Sequence, residues 1–286
     1  MHITRFITFA FAVLILLSAG EAHANYVSVN AQAVACWSGS CDVHPMATLT
    51  ATGPIVVPPL SASITGTNAV STGSAAATSY GTVDYGSIEA YVSSSATEMS
   101  SILEAGSTSG NPNGRGFFLG QWTDRLRVTS STLNTNDPVS LLFTLSMDAT
   151  LNCAGPHGSP SVNSSFTAGV HTISSSDTTC NSTFVQSQQL QVDTFVNALI
   201  DISGFLQLDS RASGLNQIAS SSEVDPPTAS FFIDVLTPGA SYTTDSRTNY
   251  STPATAPAAV PEPASLVLIG TGLLGAARSL RRRISV

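Results

Sequence analysis

The sequence predicts an all-β domain, an antiparallel β-sandwich of jelly-roll-like layout. Three observations predict it. Val139, Leu141, Phe143, Leu145, Met147, Ala149 and Leu151 alternate with Ser140, Leu142, Thr144, Ser146, Asp148 and Thr150, and strict period two marks a half-buried strand. Other short alternating runs recur between polar turns, as sandwiches require. Helical periodicity is scarce: residues 96–105, with Met99 and Leu103, are the one short candidate.

The elements follow in chain order. The chain begins Met1-His-Ile-Thr-Arg5, runs apolar from Phe6 to Leu17 except at Thr8, and then reads Ala22-His23-Ala24. These are the positive n-region, the h-region and the small-x-small cleavage site of a secretory signal peptide. Ala22 and Ala24 are the cleavage-site residues, and residues 1–24 form the leader. An apolar run of about twelve residues is too short to cross a bilayer as a helix.

Residues 25–250 form the sandwich ectodomain. Its stretch 52–79, rich in Ser, Thr, Ala, Gly and Pro, reads as edge-like or loosely ordered. Residues 80–92 read as a weaker strand. Arg125-Leu-Arg-Val128 alternates with its charge outward. Ile200, Ile202, Leu206 and Leu208 share a face, and Gly204 between them marks a bulge or bend. Phe231, Ile233 and Val235 form a late strand that Thr237-Pro-Gly239 ends.

Composition limits the function. Charged residues are 10% of the chain, against roughly 25% in ordinary soluble domains, and there is no lysine. Between Asn25 and Ala259 stand 5 Arg and 16 Asp or Glu, a net −11. A domain this acidic is repelled by phosphate backbones, which argues against nucleic-acid binding.

Chemistry-bearing residues are sparse. Cys36, Cys41, Cys153 and Cys180 are an even set in an exported chain, which favours disulfides. The local pairs Cys36–Cys41 and Cys153–Cys180 are the simplest of three connectivities. A zinc reading of Cys36, Cys41 and His44 lacks the C-x-x-C spacing. No G-x-S-x-G elbow and no H-E-x-x-H occurs. Glu89, Glu98 and Glu104 are carboxylates available for glycoside chemistry, more simply read as solvated surface. Asn134-Thr-Asn-Asp137 offers oxygen ligands for a structural calcium, the one cofactor the sequence suggests, although no EF-hand loop is present. Among Trp37, Tyr80, Tyr85, Tyr91, Trp122 and Tyr242, Trp37 is the preferred sugar platform, because it lies beside a small disulfide loop, whereas Trp122 reads as core. Asn163, Asn181 and Asn249 stand in N-x-S/T sequons.

The C-terminus is more specific. Residues 251–260 are a Pro/Ala-rich linker that in polyproline II geometry reaches roughly 30 Å, at about 3.1 Å per residue. Residues 261–286 follow as Pro261, Glu262 and Pro263, then the Gly-rich apolar segment 264–277, then a cluster ending in Arg281, Arg282 and Arg283. The apolar segment is marginal as a single transmembrane helix; snorkelling arginines extend it and hold the extreme terminus in the cytoplasm. Gly270, Gly272 and Gly275 match G-x-G-x-x-G, but only eleven residues follow, too few for the strand and acid a dinucleotide site needs. Both prolines fix φ and remove backbone donors, which keeps the motif extended.

This order of motif, short apolar helix and arginine cluster closely resembles the PEP-CTERM sorting signal of Gram-negative bacteria. The resemblance covers about 25 residues at the extreme terminus; Arg278 before the cluster and residues 284–286 after it are small departures. It implies that Pro261, Glu262 and Pro263 are recognised by a membrane enzyme, exosortase, and that Arg281–Arg283 retain the protein briefly in the inner membrane. It further implies a host that makes extracellular polysaccharide, and a final place at the cell surface, outer membrane or matrix. The expectation is therefore a non-enzymatic surface protein associated with exopolysaccharide or biofilm. A carbohydrate-binding module is the alternative, and an extracellular hydrolase the third reading.

Overall fold

A computed structural model describes residues 25–45, 48–67, 71–100, 112–214 and 219–251. The leader, the linker beyond Ser251 and the sorting tail lie outside the described residues. Among those described, every regular element is a strand. In chain order they are β1 (Tyr26–Trp37), β2 (Ser40–Pro45), β3 (Leu49–Ala51), β4 (Ile55–Thr67), β5 (Ser71–Asp84), β6 (Ser87–Ser100) and β7 (Asn113–Ser130). There follow β8 (Pro138–Ala154), β9 (Gly158–Ala168), β10 (His171–Asp177), β11 (Ser182–Phe195), β12 (Leu199–Ser213), β13 (Ser220–Val235) and β14 (Ala240–Thr244).

They form two antiparallel sheets packed face to face. Sheet A has the order β10-β9-β12-β7-β1-β2, with β3 added to β1 and β14 to β7. Sheet B has the order β11-β8-β13-β6-β5-β4. The two-layer architecture matches the expected sandwich, but the connectivity is simpler than a jelly roll in one place. There β4, β5 and β6 run as a meander within sheet B rather than alternating between sheets.

The alternating stripe is β8. All seven apolar members, Val139 to Leu151, are buried, while Ser146 is half-exposed and Asp148 exposed. With β13 and β11 hydrogen-bonded on its two sides, β8 has one face for the core and one for water. Trp122 of β7 meets Phe166 of its own sheet, Phe231 of the facing sheet and Tyr250 at ring centroid distances of 5.9, 5.4 and 5.1 Å. This aromatic group fills one end of the sandwich. The other end is thin and lined by Ala33, Ala35, Ala62, Ala75, Ala77, Ala96 and Ala212. A Cβ on Gly114 would lie 2.4 Å from the Ala76 carbonyl, and one on Gly116 2.6 Å from that of Thr78. The sheets approach there too closely for larger side chains, which explains much of the Ala, Gly and Ser content.

Three local expectations change. Residues 96–100 continue strand β6 instead of opening a helix. Ala96 pairs with Ala75 of β5 and Ser220 of β13, so sheet hydrogen bonds on both sides override a weak helical pattern. The strand at 80–92 is two halves of the β5–β6 hairpin, turned at Tyr85-Gly86, where Gly86 has φ +82°. Gly204 is no bulge. Strand β12 keeps its register with β7 and β9 through it, and a Cβ there would strike the Trp122 indole at 2.4 Å.

Candidate functional site

The residues singled out by sequence scatter. Ala22, Ala24, Glu104, Pro261, Glu262, Pro263, Arg281, Arg282 and Arg283 lie outside the described residues. Cys36 and Cys41 are directly paired residues of β1 and β2 and are joined as a disulfide. Cys153, near the end of β8, is joined to Cys180 just before β11. The first bridge leaves no thiolate beside His44, whose Nε2 instead contacts Asp42 at 3.0 Å. In the Asn134–Asp137 turn, the Asp137 carboxylate accepts the Asn134 backbone N–H at 2.7 Å and so closes the turn on itself. Among the described residues no three His, Cys, Asp or Glu side chains cluster as a metal site would need.

Trp37 is not a sugar platform. It is only 6% exposed, because its indole lies over Gly66 and Gly73 of the facing sheet, where an added Cβ would fall 2.0 and 2.2 Å from the ring. Trp122 is core, as its sequence position suggested. Glu98 is buried rather than solvated, being on the inward side of β6. Glu89 is exposed.

Two arrangements gather functional side chains instead. The first fastens the end of the domain. Asp124 of β7, 5% exposed, accepts the Tyr250 hydroxyl at 2.9 Å, the backbone N–H of Arg125 at 2.8 Å and that of Ser246 at 3.1 Å. The Ser246 hydroxyl also donates to it. Tyr250 stacks on Trp122, and its carbonyl accepts the Ile233 N–H at 2.7 Å. Burial first, and then the nearby Asp124 charge, push the Tyr250 phenol far above its ordinary range, so it stays a donor. Tyr250 is thus sealed in the core, and Ser251, the last described residue, is exposed.

The second arrangement is the outer face of sheet B. Tyr80 and Tyr91 are paired residues of β5 and β6, with ring centroids 4.9 Å apart and planes inclined by 25°. Tyr80 is 36% exposed. The Tyr91 hydroxyl donates to Glu223 Oε1 of β13 at 2.8 Å, and burial raises its pKa. The pair separates two clefts. One, of about 240 Å³, holds Tyr91, Glu223, Thr78, Ser93 and Asn152. The other, of about 350 Å³, holds Tyr80, Glu89, Thr82 and the Pro58-Pro59 irregularity where β4 slips register against β5. The sequence named both tyrosines as aromatics but gave no sign that they meet. Their only linear trace is equal distance from the hairpin turn at Tyr85-Gly86.

Residues 259–283 match the family model of the PEP-CTERM protein-sorting motif. The chain carries a PEP-CTERM sorting signal. No curated protein matches the chain. A PEP-CTERM tail is a substrate signal read by exosortase, so this is an exported protein, anchored in a membrane and then sorted to the surface. Pro261 of the PEP-CTERM motif stands eleven residues beyond Tyr250, the last buried side chain among the described residues.

Proposed function

We propose that the chain is a non-enzymatic surface or extracellular-matrix protein associated with exopolysaccharide. Its sandwich is exported behind a cleaved signal peptide, held at the inner membrane by the tail, and released or re-anchored when exosortase acts at Pro261, Glu262 and Pro263. The observation that carries this reading is the sorting motif at 259–283, placed just after a domain whose end is fastened at Tyr250. A cut at the motif removes none of the buried side chains among the described residues. Mass spectrometry of surface material from an exosortase-bearing host tests it. The expected species begins at Asn25 and lacks Arg281, Arg282 and Arg283. Replacing Pro261, Glu262 and Pro263 with alanine should leave a folded, full-length protein in the inner membrane. Surface protein that still ends at Val286 would refute the processing.

A carbohydrate-binding role is the second reading. The Tyr80–Tyr91 pair favours it, since an aromatic ring flanked by carboxylate and hydroxyl groups on a sheet face suits a sugar ring.

A further inference from the structure

The strands of sheet B carry eight Asp or Glu and no Arg, Lys or His, and only Glu98 of the eight is buried. All five arginines between residues 25 and 259 lie elsewhere, four on sheet A and Arg247 after β14. The aromatic pair therefore stands in a wholly anionic face. Each of its two clefts combines one tyrosine and one glutamate: Tyr91 with Glu223 among several Ser and Thr hydroxyls on one side, Tyr80 with Glu89 and the single Thr82 hydroxyl on the other.

The kind of ligand follows from three features. Strands β5, β6 and β13 are interior strands, paired on both edges, so an incoming peptide cannot add to the sheet here. Recognition must use side chains that rise from the face. An aromatic ring attracts the polarised C–H groups of a sugar or an ammonium ion over its surface. A field of carboxylates disfavours uronate, sulfate or phosphate groups and favours a cation. Resting on the carbohydrate-binding reading above, we infer that the outer face of sheet B binds a glycan bearing free protonated amines, with hexosamine rings lying on either side of the Tyr80–Tyr91 partition. Glu89 and Glu223 take the amines, and the Ser, Thr and Asn side chains take ring hydroxyls.

The test is equilibrium binding of the full-length chain to three probes at low salt: a β-1,4-linked glucosamine hexamer, its N-acetylated counterpart, and oligo-arginine. The glucosamine hexamer should bind at least about tenfold more tightly than the acetylated one, the scale of one charge-assisted hydrogen bond. Tyr80→Ala and Glu89→Gln should each weaken it by a similar factor. Both positions are exposed, and unchanged thermal melting of each variant shows that the fold is intact. Equal binding of both hexamers, lost in Tyr80→Ala, would keep the carbohydrate reading and overturn the amine inference. Binding of oligo-arginine that Tyr80→Ala leaves unaltered, with no hexamer binding, would show a merely acidic surface and overturn both. Silence towards all three would overturn both as well.

Discussion

The strands of sheet A carry five acids and four arginines, whereas those of sheet B carry eight acids and no basic side chain. On sheet A the charges answer one another. Asp209, 7% exposed, lies between Arg115 and Arg211, with its Oδ2 2.7 Å from each. Arg125 meets Asp201 at 2.8 Å. Asp124 is consumed by the clamp on Tyr250. On sheet B the carboxylates face water, save Glu98, and the strands supply no counter-charge. Uncompensated like charge costs a fold some stability. Buried charge is tolerated only where partners meet it, and sheet A obeys that rule. Sheet B keeps seven of its eight acids at least partly exposed, Glu98 being the one buried.

Four perturbations break or sharpen this contrast, in falling order of effect. The largest tests whether the faces of sheet B are what the burial pattern says. Met147→Asp puts a charge into the core and should abolish folding or cost several kcal/mol, whereas Ser146→Asp next to it should be nearly silent. Equal tolerance in denaturant titrations would dissolve the inner and outer distinction. Next comes the sheet A clamp. Tyr250→Ala should cost about 3–5 kcal/mol as a large buried ring is lost, and Tyr250→Phe about 1.5–3 kcal/mol for the hydrogen bond to Asp124. A wild-type melting curve for Tyr250→Phe would show that the hydroxyl ties nothing down.

The third probe is pH. Burial alone would raise the Asp209 carboxyl, but hydrogen bonds from Arg211 and Arg115 outweigh it and hold the group below the usual range. Its folded pKa is depressed. The stabilisation is therefore present above the unfolded value, near about 3.9, and is lost as pH falls through the folded one. Stability measured from about pH 5 downward should fall less steeply in Asp209→Asn. At neutral pH that variant should lose only about 1 kcal/mol, because both arginines keep solvent contact. An unchanged acid limb would remove Asp209 from the account. The smallest effect is on sheet B. Asp148→Asn, at an exposed position, should shift stability by no more than about 0.5 kcal/mol, with a gain at low salt that vanishes at high salt. A clear loss would mean that Asp148 has a structural partner and that the two sheets differ less than their composition suggests.

Much of the fold was legible because strand faces are written locally. The stripe on β8 and the late strand at Phe231 needed no knowledge of neighbours, since side chains alternate on any extended chain. The disulfides were legible for a related reason: both close short loops, the first within one hairpin. The helix expected at 96–105 gives way to strand over 96–100 because Ala and Ser fit either periodicity, and only partners on both sides decide between them. Gly204 was misread because its requirement comes from Trp122, some eighty residues earlier in the chain. The clamp was invisible for the same reason. Asp124 is one acid among many in an acidic domain, and Tyr250 is simply the last residue before the linker; nothing local in the sequence joins them.

The sequence by itself determined the sorting motif at 259–283 and the faces of the strands. A sorting motif is read by another protein as a linear string, so nothing distant alters it, and period two is a property of backbone geometry. Only the tertiary structure decided which aromatics face solvent. Trp37 is hidden because the β4–β5 hairpin brings Gly66 and Gly73 across to meet it, while Tyr80 is left outside because its strand turns the opposite edge of its pleat inward. Exposure depends on what the facing sheet places at the same level, and that is set by pairings between residues far apart in the chain.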